Sequence, residues 1–426
     1  VTRGTKQECY RRFCDRCEYQ NLGRCGKHLA NPYIHTLSSC PLQLWGENRE
    51  MYPRVEEQKP FRLLWITQDV AQGGITSFIT YLSYYKPANL SITLLYFSDY
   101  KADHEKVEVM KKNGITVKCV LSMSQTELDS LMSQCDVLTM SYIWEKDWIE
   151  AVKSSISHTN FNKLFVAQAH GECEFSQQAA NNQAYISTGL NRIATAPSSG
   201  SQAMLINAGF DPSSIHTLQY ILPPENPSVL YRDIKLATDY IPYTNNPYRF
   251  LWLGRLDPVK QLPLSAKLVQ QFRSNAIPPF LSKSRLTVVG DGWCKDQIMQ
   301  ELAQYDFIDY MPWADADTKL TLYRSHDMLL CHSMKEGGPL VVNEALYHGL
   351  PVHSFPVGMH EKLASLDPDQ LIYTDKGSIA DHVYRTSSLR SIAKRHSRIA
   401  SFRDLFGVQN TLINFSILAG FQLKWA

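Results

Sequence analysis

No apolar run in this 426-residue chain reaches the roughly 18 to 20 residues that a membrane-crossing helix needs, which excludes a helical membrane span. An excess of one charge is also missing: 43 basic against 41 acidic side chains leave a formal net charge of +2. Such a balance gives no chain-wide field to attract nucleic acid, and none is expected as a partner. There is no repeat at a fixed period and no low-complexity tract, so solenoids and propellers are set aside. Val1 to Gly4 open the chain without the apolar core of a signal peptide, and a cytoplasmic location is the expectation. What remains is a globular composition, 44% hydrophobic, over a length that supports two cores.

Cysteine is sparse along most of the chain and crowded at its start. Of the ten, Cys9, Cys14, Cys17, Cys25 and Cys40 fall in the first forty residues, whereas Cys119, Cys135, Cys173, Cys294 and Cys331 are scattered, as small buried hydrophobes usually are. The first three read C-x4-C-x2-C, a spacing at which thiolates close around tetrahedral zinc or hold an iron–sulfur cluster. Disulfides are the third option, disfavoured by the odd count and a cytosolic setting. The candidate ligands are Cys9, Cys14, Cys17 and Cys25, with Cys40 as the alternative fourth and His28 and His35 nearby. A metal here would staple a small irregular cap over residues 1–58 and need not take part in chemistry.

From Phe61 onward short apolar runs alternate with segments long enough for helices. Strands are expected at residues 61–67, 92–97, 117–121, 136–142, 164–169 and 193–196, then at 250–253, 286–289, 307–310, 328–331, 352–355 and 371–373. Alternation of buried strand and helix indicates parallel sheets covered on both faces. The polar stretch Asp239 to Tyr248, with Pro242, Asn245, Asn246 and Pro247, is the candidate linker. The expected domains are 59–242 and 243–404, followed by a carboxyl-terminal segment, 405–426.

The most informative stretch runs from Met334 to Val352, MKEGGPLVVNEALYHGLPV. A buried strand precedes it, and its glycines feed a helix whose first amides are unpaired and whose dipole end is positive, an anion site. Glu336 and Glu344 flank that turn. A carboxylate repels a phosphate but accepts hydrogen bonds from hydroxyls, so the pair suits the sugar and ribose of a nucleotide-sugar diphosphate. Arg255 and Lys260 follow a strand end, where a guanidinium and an ammonium could neutralise the diphosphate without a metal.

The segment resembles the E-x7-E element of retaining GT-B glycosyltransferases of the group 1 type (family 4). FLWLGRLDPVK, residues 250–260, resembles that family's strand-Gly-Arg-Leu-x-x-x-Lys element, and LTVVGDG, residues 286–292, its next strand and turn. The resemblance spans about residues 248 to 360; the amino-terminal half matches only in outline. It implies an α/β chain of GT-B type: two Rossmann-like doubly wound domains facing a cleft, here with a small Cys-rich amino-terminal cap. It also implies that residues 405–426 cross back onto the first domain.

By the same resemblance, Glu336 serves the sugar and the reacting face and Glu344 the ribose, while Gly338 and Leu340 lie by the phosphates or sugar. Gly73 and Gly74 correspond to a loop approaching phosphate and acceptor, and His170 to a histidine touching the donor sugar from the opposing domain. The chain departs from the commoner Glu-Gly-Phe-Gly form: the aromatic is missing and Pro339 lacks an amide proton.

The expected function is retaining transfer of a sugar from a nucleoside diphosphate sugar to a glycan or glycolipid acceptor, in the setting of surface polysaccharide synthesis, with no cofactor for the transfer itself. Alternatives are a GT-B phosphorylase or epimerase, and a non-catalytic nucleotide-sugar-binding protein with a partner-binding cap. A basic helical face over residues 385–403 adds the option of peripheral contact with the inner membrane surface. For the cap, elemental analysis and a visible spectrum of anaerobically purified protein should show one bound centre, colourless for zinc and absorbing for iron–sulfur. Paired Cys14→Ser and Cys17→Ser substitutions should release it. Metal-free protein with these thiols reduced or oxidised to disulfides would overturn the assignment.

Overall fold

A computed structural model describes residues 60–71, 73–99, 102–171, 174–218, 247–276, 279–358, 371–373, 378–387 and 414. The proposed cap ligands Cys9, Cys14, Cys17, Cys25 and Cys40 lie outside the described residues. So do nearly all of the basic face and the carboxyl-terminal segment.

Two parallel sheets are built within Pro60–Lys424, which forms one compact unit. The first sheet comprises β1 (Phe61–Asp69), β2 (Leu90–Ser98), β3 (Ile115–Cys119), β4 (Val137–Met140), β5 (Leu164–Gln168), β6 (Arg192–Ala196) and β7 (Ile215–Thr217), in the spatial order 3-2-1-4-5-6-7. Between its strands run α1 (Gly74–Ser83), α2 (His104–Lys112), α3 (Gln125–Gln134), α4 (Lys146–His158), α5 (Glu174–Ile186) and α6 (Ser199–Asn207). The second sheet comprises β8 (Arg249–Leu253), β9 (Arg285–Val289), β10 (Ile308–Met311), β11 (Met328–Cys331), β12 (Val352–Ser354) and β13 (Leu371–Tyr373), in the order 10-9-8-11-12-13. Its helices are α7 (Leu262–Ser274), α8 (Lys295–Leu302), α9 (Ala316–Ser325), α10 (Leu340–Tyr347) and α11 (Ile379–Ser387).

Burial explains why these runs are strands. Leu63, Leu64, Trp65 and Ile66 are each at most 1% exposed, a continuous apolar stretch that fits a strand with helices on both faces. Four helices begin where a short polar side chain replaces a missing backbone partner. Asp103, Ser198 and Asp315 each accept from the third residue on, and Ser124 with Glu127 forms a reciprocal capping box.

One device appears in both sheets. Asp136, just before β4, accepts from the Arg62 amide at 2.7 Å, and Asp327, just before β11, accepts from the Arg249 amide at 2.8 Å. Each aspartate also faces that arginine's guanidinium, at 3.8 and 3.7 Å. In both sheets the pairing of the two central strands is thus pinned at its amino end. No sequence repeat announces this.

Three details differ from the sequence reading. The third strand ends at Cys119, and Val120–Ser122 is a turn of 3-10 helix. Edge strand β7, only three residues long, gives too short a pattern to be read. Tyr248, assigned to the linker, is 1% exposed and packs with Phe250 and Phe272 in the second core, so the break ends before it.

A row of buried histidines runs under the carboxyl end of β11. His332 shares a 2.8 Å hydrogen bond with Ser265 Oγ and a 2.9 Å one with His353, which packs beside His382. Burial, assisted by His353, lowers the pKa of His332 to about 3. The folded state therefore binds fewer protons than the unfolded state between that value and the ordinary 6.5, and stability falls as pH drops through this window. Lowering the pH from 7 to 5 should cost about 2 kcal/mol through His332 alone, read as a fall in denaturant midpoint. His332→Asn should flatten that dependence; an unchanged slope would clear His332 of the effect.

Candidate functional site

In each sheet the strand order reverses beside a central strand, between β1 and β4 in the first and between β8 and β11 in the second. Loops leaving such a pair diverge and leave a crevice at the carboxyl ends, where ligands bind in open α/β sheets. At the second crevice the loop after β8 carries Arg255 and Lys260, and the loop after β11 carries Glu336, Gly337 and Gly338. A bond from the Met334 amide to the Val259 carbonyl, 2.8 Å, ties the two loops together.

Lys260 Nζ donates to Glu336 Oε1, so this cation and this carboxylate, 76 positions apart in sequence, form one ion pair. Arg255 is 65% exposed at its side chain and meets Asp257 at 3.2 Å. Asp257 also accepts from the Val259 amide, which starts the short turn carrying Lys260, and from the exposed Trp293 indole at 3.3 Å. Sequence reasoning left Asp257 without a role; its place between Arg255 and Lys260 in Gly-Arg-Leu-Asp was the available signal.

Only part of the span between the glutamates is helical. Glu336 lies in the loop, Pro339 caps the helix, and α10 starts at Leu340, which is 9% exposed and packs in the second core. Gly338 is half-buried. Glu344 sits one turn into α10 and is 7% exposed. It accepts from Lys319 at 2.7 Å and from the Tyr323 hydroxyl at 2.6 Å, both on α9, and from the Tyr81 hydroxyl of α1 at 2.9 Å. Burial pushes its pKa up, but Lys319 and the hydroxyl donors outweigh that and hold the carboxyl below its usual range. The two tyrosines are pushed well above theirs, by burial and then by the Glu344 charge, and so remain donors. The sequence suggested none of these three partners.

The first crevice holds His170, just beyond β5. Its Nε2 lies 3.4 Å from Ser141 Oγ, which accepts from the Trp65 indole at 2.8 Å and donates to Gln168 at 2.6 Å. Protein packed around the His170 ring lowers its pKa to about 3, so the imidazole is neutral at ordinary pH. Gly73 and Gly74 are exposed at the start of α1, and a side chain at either would meet nothing within 4 Å.

The two crevices meet. A Cβ at Gly337 would lie 2.2 Å from the His170 carbonyl oxygen, a backbone contact that only glycine permits. Thus Lys260, Glu336, Gly337 and His170 come together. Glu344 is engaged by tyrosines, and Arg255 stands at the exposed edge. Among the described residues no cluster of three or more His, Cys, Asp or Glu is placed to hold a metal, and no helix is long and apolar enough to cross a membrane.

Residues 247–388 match the family model of glycosyl transferases group 1. The chain carries a group 1 glycosyltransferase domain. The chain as a whole is similar to solved structures at low identity. Anabaena HepE, in complex with UDP and glucose, is 16% identical with a TM-score of 0.63, over 85% of this chain and 100% of that one. A mutant of S. aureus TarM, in complex with fondaparinux, alpha-GlcNAc-glycerol and UDP, is 11% identical at 0.60, over 84% and 99%. Sucrose-phosphate synthase from Thermosynechococcus elongatus is 13% identical at 0.57, over 85% and 98%. No curated protein sequence matches. These likenesses support the fold of the chain, two parallel sheets of GT-B type.

The Gly337 contact yields a test. Gly337→Ala must part the loops around His170 and Glu336, and a misplacement of about 1 Å can cost roughly 100-fold in turnover. Sugar transfer should fall by that order, and the melting temperature should fall with it because backbone atoms must move apart. Near-normal transfer would show that the contact is not needed for the reaction.

Proposed function

We propose that this glycosyltransferase moves a sugar from a nucleoside diphosphate donor to a hydroxyl of a glycan or glycolipid acceptor, with retention at the anomeric carbon. The observation that carries the reading is the convergence of Lys260, Glu336 and the amino end of α10 at the strand-order reversal of the second sheet. UDP and glucose in HepE, and UDP in TarM, support a nucleotide-sugar donor.

In the transfer, the bond from the anomeric carbon to the diphosphate oxygen breaks and leaves its electron pair on the phosphate. The acceptor oxygen bonds to that carbon, and its proton passes to the departing diphosphate. Negative charge grows on the diphosphate, where Arg255 and Lys260 stabilise it; positive character grows on the sugar, where Glu336 does so. In the donor complex Lys260 turns part of its donor capacity to phosphate, and Glu336 takes sugar hydroxyls in place of part of the ion pair. His170, kept neutral by burial, touches the donor sugar. Glu344 takes the ribose, and Gly338 and Leu340 lie by the phosphates.

Open space around Gly73 and Gly74 leaves room for acceptor and phosphate. Transfer proceeds without a metal, and the amino-terminal cysteines serve the cap. The enzyme works in the cytoplasm, in contact with a membrane when its acceptor is lipid-linked.

Thermal shift against UDP, GDP and ADP sugars tests the donor, since a ligand at 100 times its Kd stabilises by about 2.7 kcal/mol. Arg255→Ala and Lys260→Ala should each weaken nucleotide binding about tenfold or more, a loss of about 1.4 kcal/mol. Glu336→Gln should lower kcat by roughly 100-fold with nucleotide affinity nearly unchanged, because it acts on charge that develops in the transition state. Normal affinity in both cation variants, or normal kcat in the glutamine variant, would refute the corresponding role.

A further inference from the structure

Tyr81 belongs to the first sheet's helix but makes its polar contact in the second sheet's site. Along α1, Phe78, Ile79 and Leu82 are at most 2% exposed, and Phe78 packs edge-on against the His170 ring. Tyr81 points elsewhere. Its ring packs against the cluster that holds Leu340, Val342 and Ala345, and its hydroxyl donates to Glu344 Oε1.

Counting acceptor positions gives this contact a consequence. An ionised carboxylate offers about four lone-pair positions. In Glu344, Tyr323 and Lys319 take those on Oε2, and Tyr81 takes one on Oε1. One position remains, on the oxygen that Tyr81 already covers, and the side chain is only 9% exposed. A ribose presents two neighbouring hydroxyls, which need both positions on Oε1 and open space in front of it. Tyr323 and Lys319 come from α9 of the same domain and can stay. The Tyr81 hydroxyl occupies what a ribose hydroxyl needs.

We infer that Tyr81 is a placeholder for a ribose hydroxyl. In the unliganded chain it closes the Glu344 subsite from the first domain, and an arriving nucleotide displaces it. Displacement removes the polar tie between α1 and α10 and loosens the Gly73 and Gly74 loop at the amino end of α1. Donor binding is thereby coupled to the first domain's side of the crevice. The inference rests on the proposal that Glu344 receives the ribose.

The test is calorimetric titration of UDP, GDP and ADP into wild type, Tyr81→Phe and Tyr323→Phe. The phenylalanine at 81 keeps the ring and removes only the competing hydroxyl. If the contact holds about nine-tenths of molecules closed, this variant should bind the preferred nucleotide roughly tenfold more tightly. Tyr323→Phe, which removes a supporting donor, should bind it less tightly. The gain should vanish when the same nucleotide is supplied in 2′,3′-dideoxy form, which has no ribose hydroxyl to compete; a merely structural role would not produce that dependence.

Unchanged or weaker binding of the ribonucleotide by Tyr81→Phe would overturn the inference and leave the donor proposal standing. A gain that persists with the dideoxy nucleotide would overturn it too. If none of the three nucleotides binds any of the proteins, the donor proposal fails and this inference fails with it.

Discussion

In each sheet a central strand is paired in parallel on both sides, and the connections on its two sides run in opposite directions. All the described chemistry depends on that constraint. Parallel neighbours must be joined by crossovers on the faces, so helices cover both sides and the strands become continuous apolar runs such as Leu63 to Ile66. Where the direction of travel reverses, the loops part. Lys260 and Glu336, Arg255 and Asp257, and Ser141 stand at the two reversals, with His170 beside Ser141 after the next strand. The aspartates at the opposite end, Asp136 and Asp327, fix which strands become neighbours there.

Charge within the crevice is arranged in pairs. Lys260 neutralises Glu336, Asp257 faces Arg255, and Lys319 offsets the burial of Glu344. A cation near the surface keeps much of its hydration, so its carboxylate is a mild restraint that a polyanion can displace. Glu344 differs because it is buried: an ionised carboxylate there needs a close cation and hydrogen-bond donors, which Lys319, Tyr323 and Tyr81 supply. Helix α1, which belongs to the first sheet, provides one of them, so the state of this carboxylate is physically linked to how the helices of the two sheets meet.

The fold was largely readable from residue order. Twelve of the strands show as apolar runs bounded by polar or glycine-rich turns, because double-sided burial imposes the same requirement at each position. The misses have local causes. β7 is a three-residue edge, and Tyr248 looks like linker because Pro247 and the asparagines before it are polar. Of the site, Lys260, Glu336 and Glu344 stood out through their spacing after strands and glycines. The Tyr81, Lys319 and Tyr323 contacts were hidden, since an ordinary helical Tyr or Lys carries no mark of the partner it will meet.

By itself, then, the sequence determined the architecture and the segments at which chemistry is placed, because strand and helix patterns and glycine turns are local and each residue's contribution to them can be read in place. Tertiary structure alone decided which charges neutralise one another, that burial keeps His170 neutral, that Gly337 must be glycine, and that Glu344 is held by helices of both sheets. Those properties depend on burial and on distances of a few ångströms between groups up to 263 positions apart in the chain, and such distances exist only once the strands have paired.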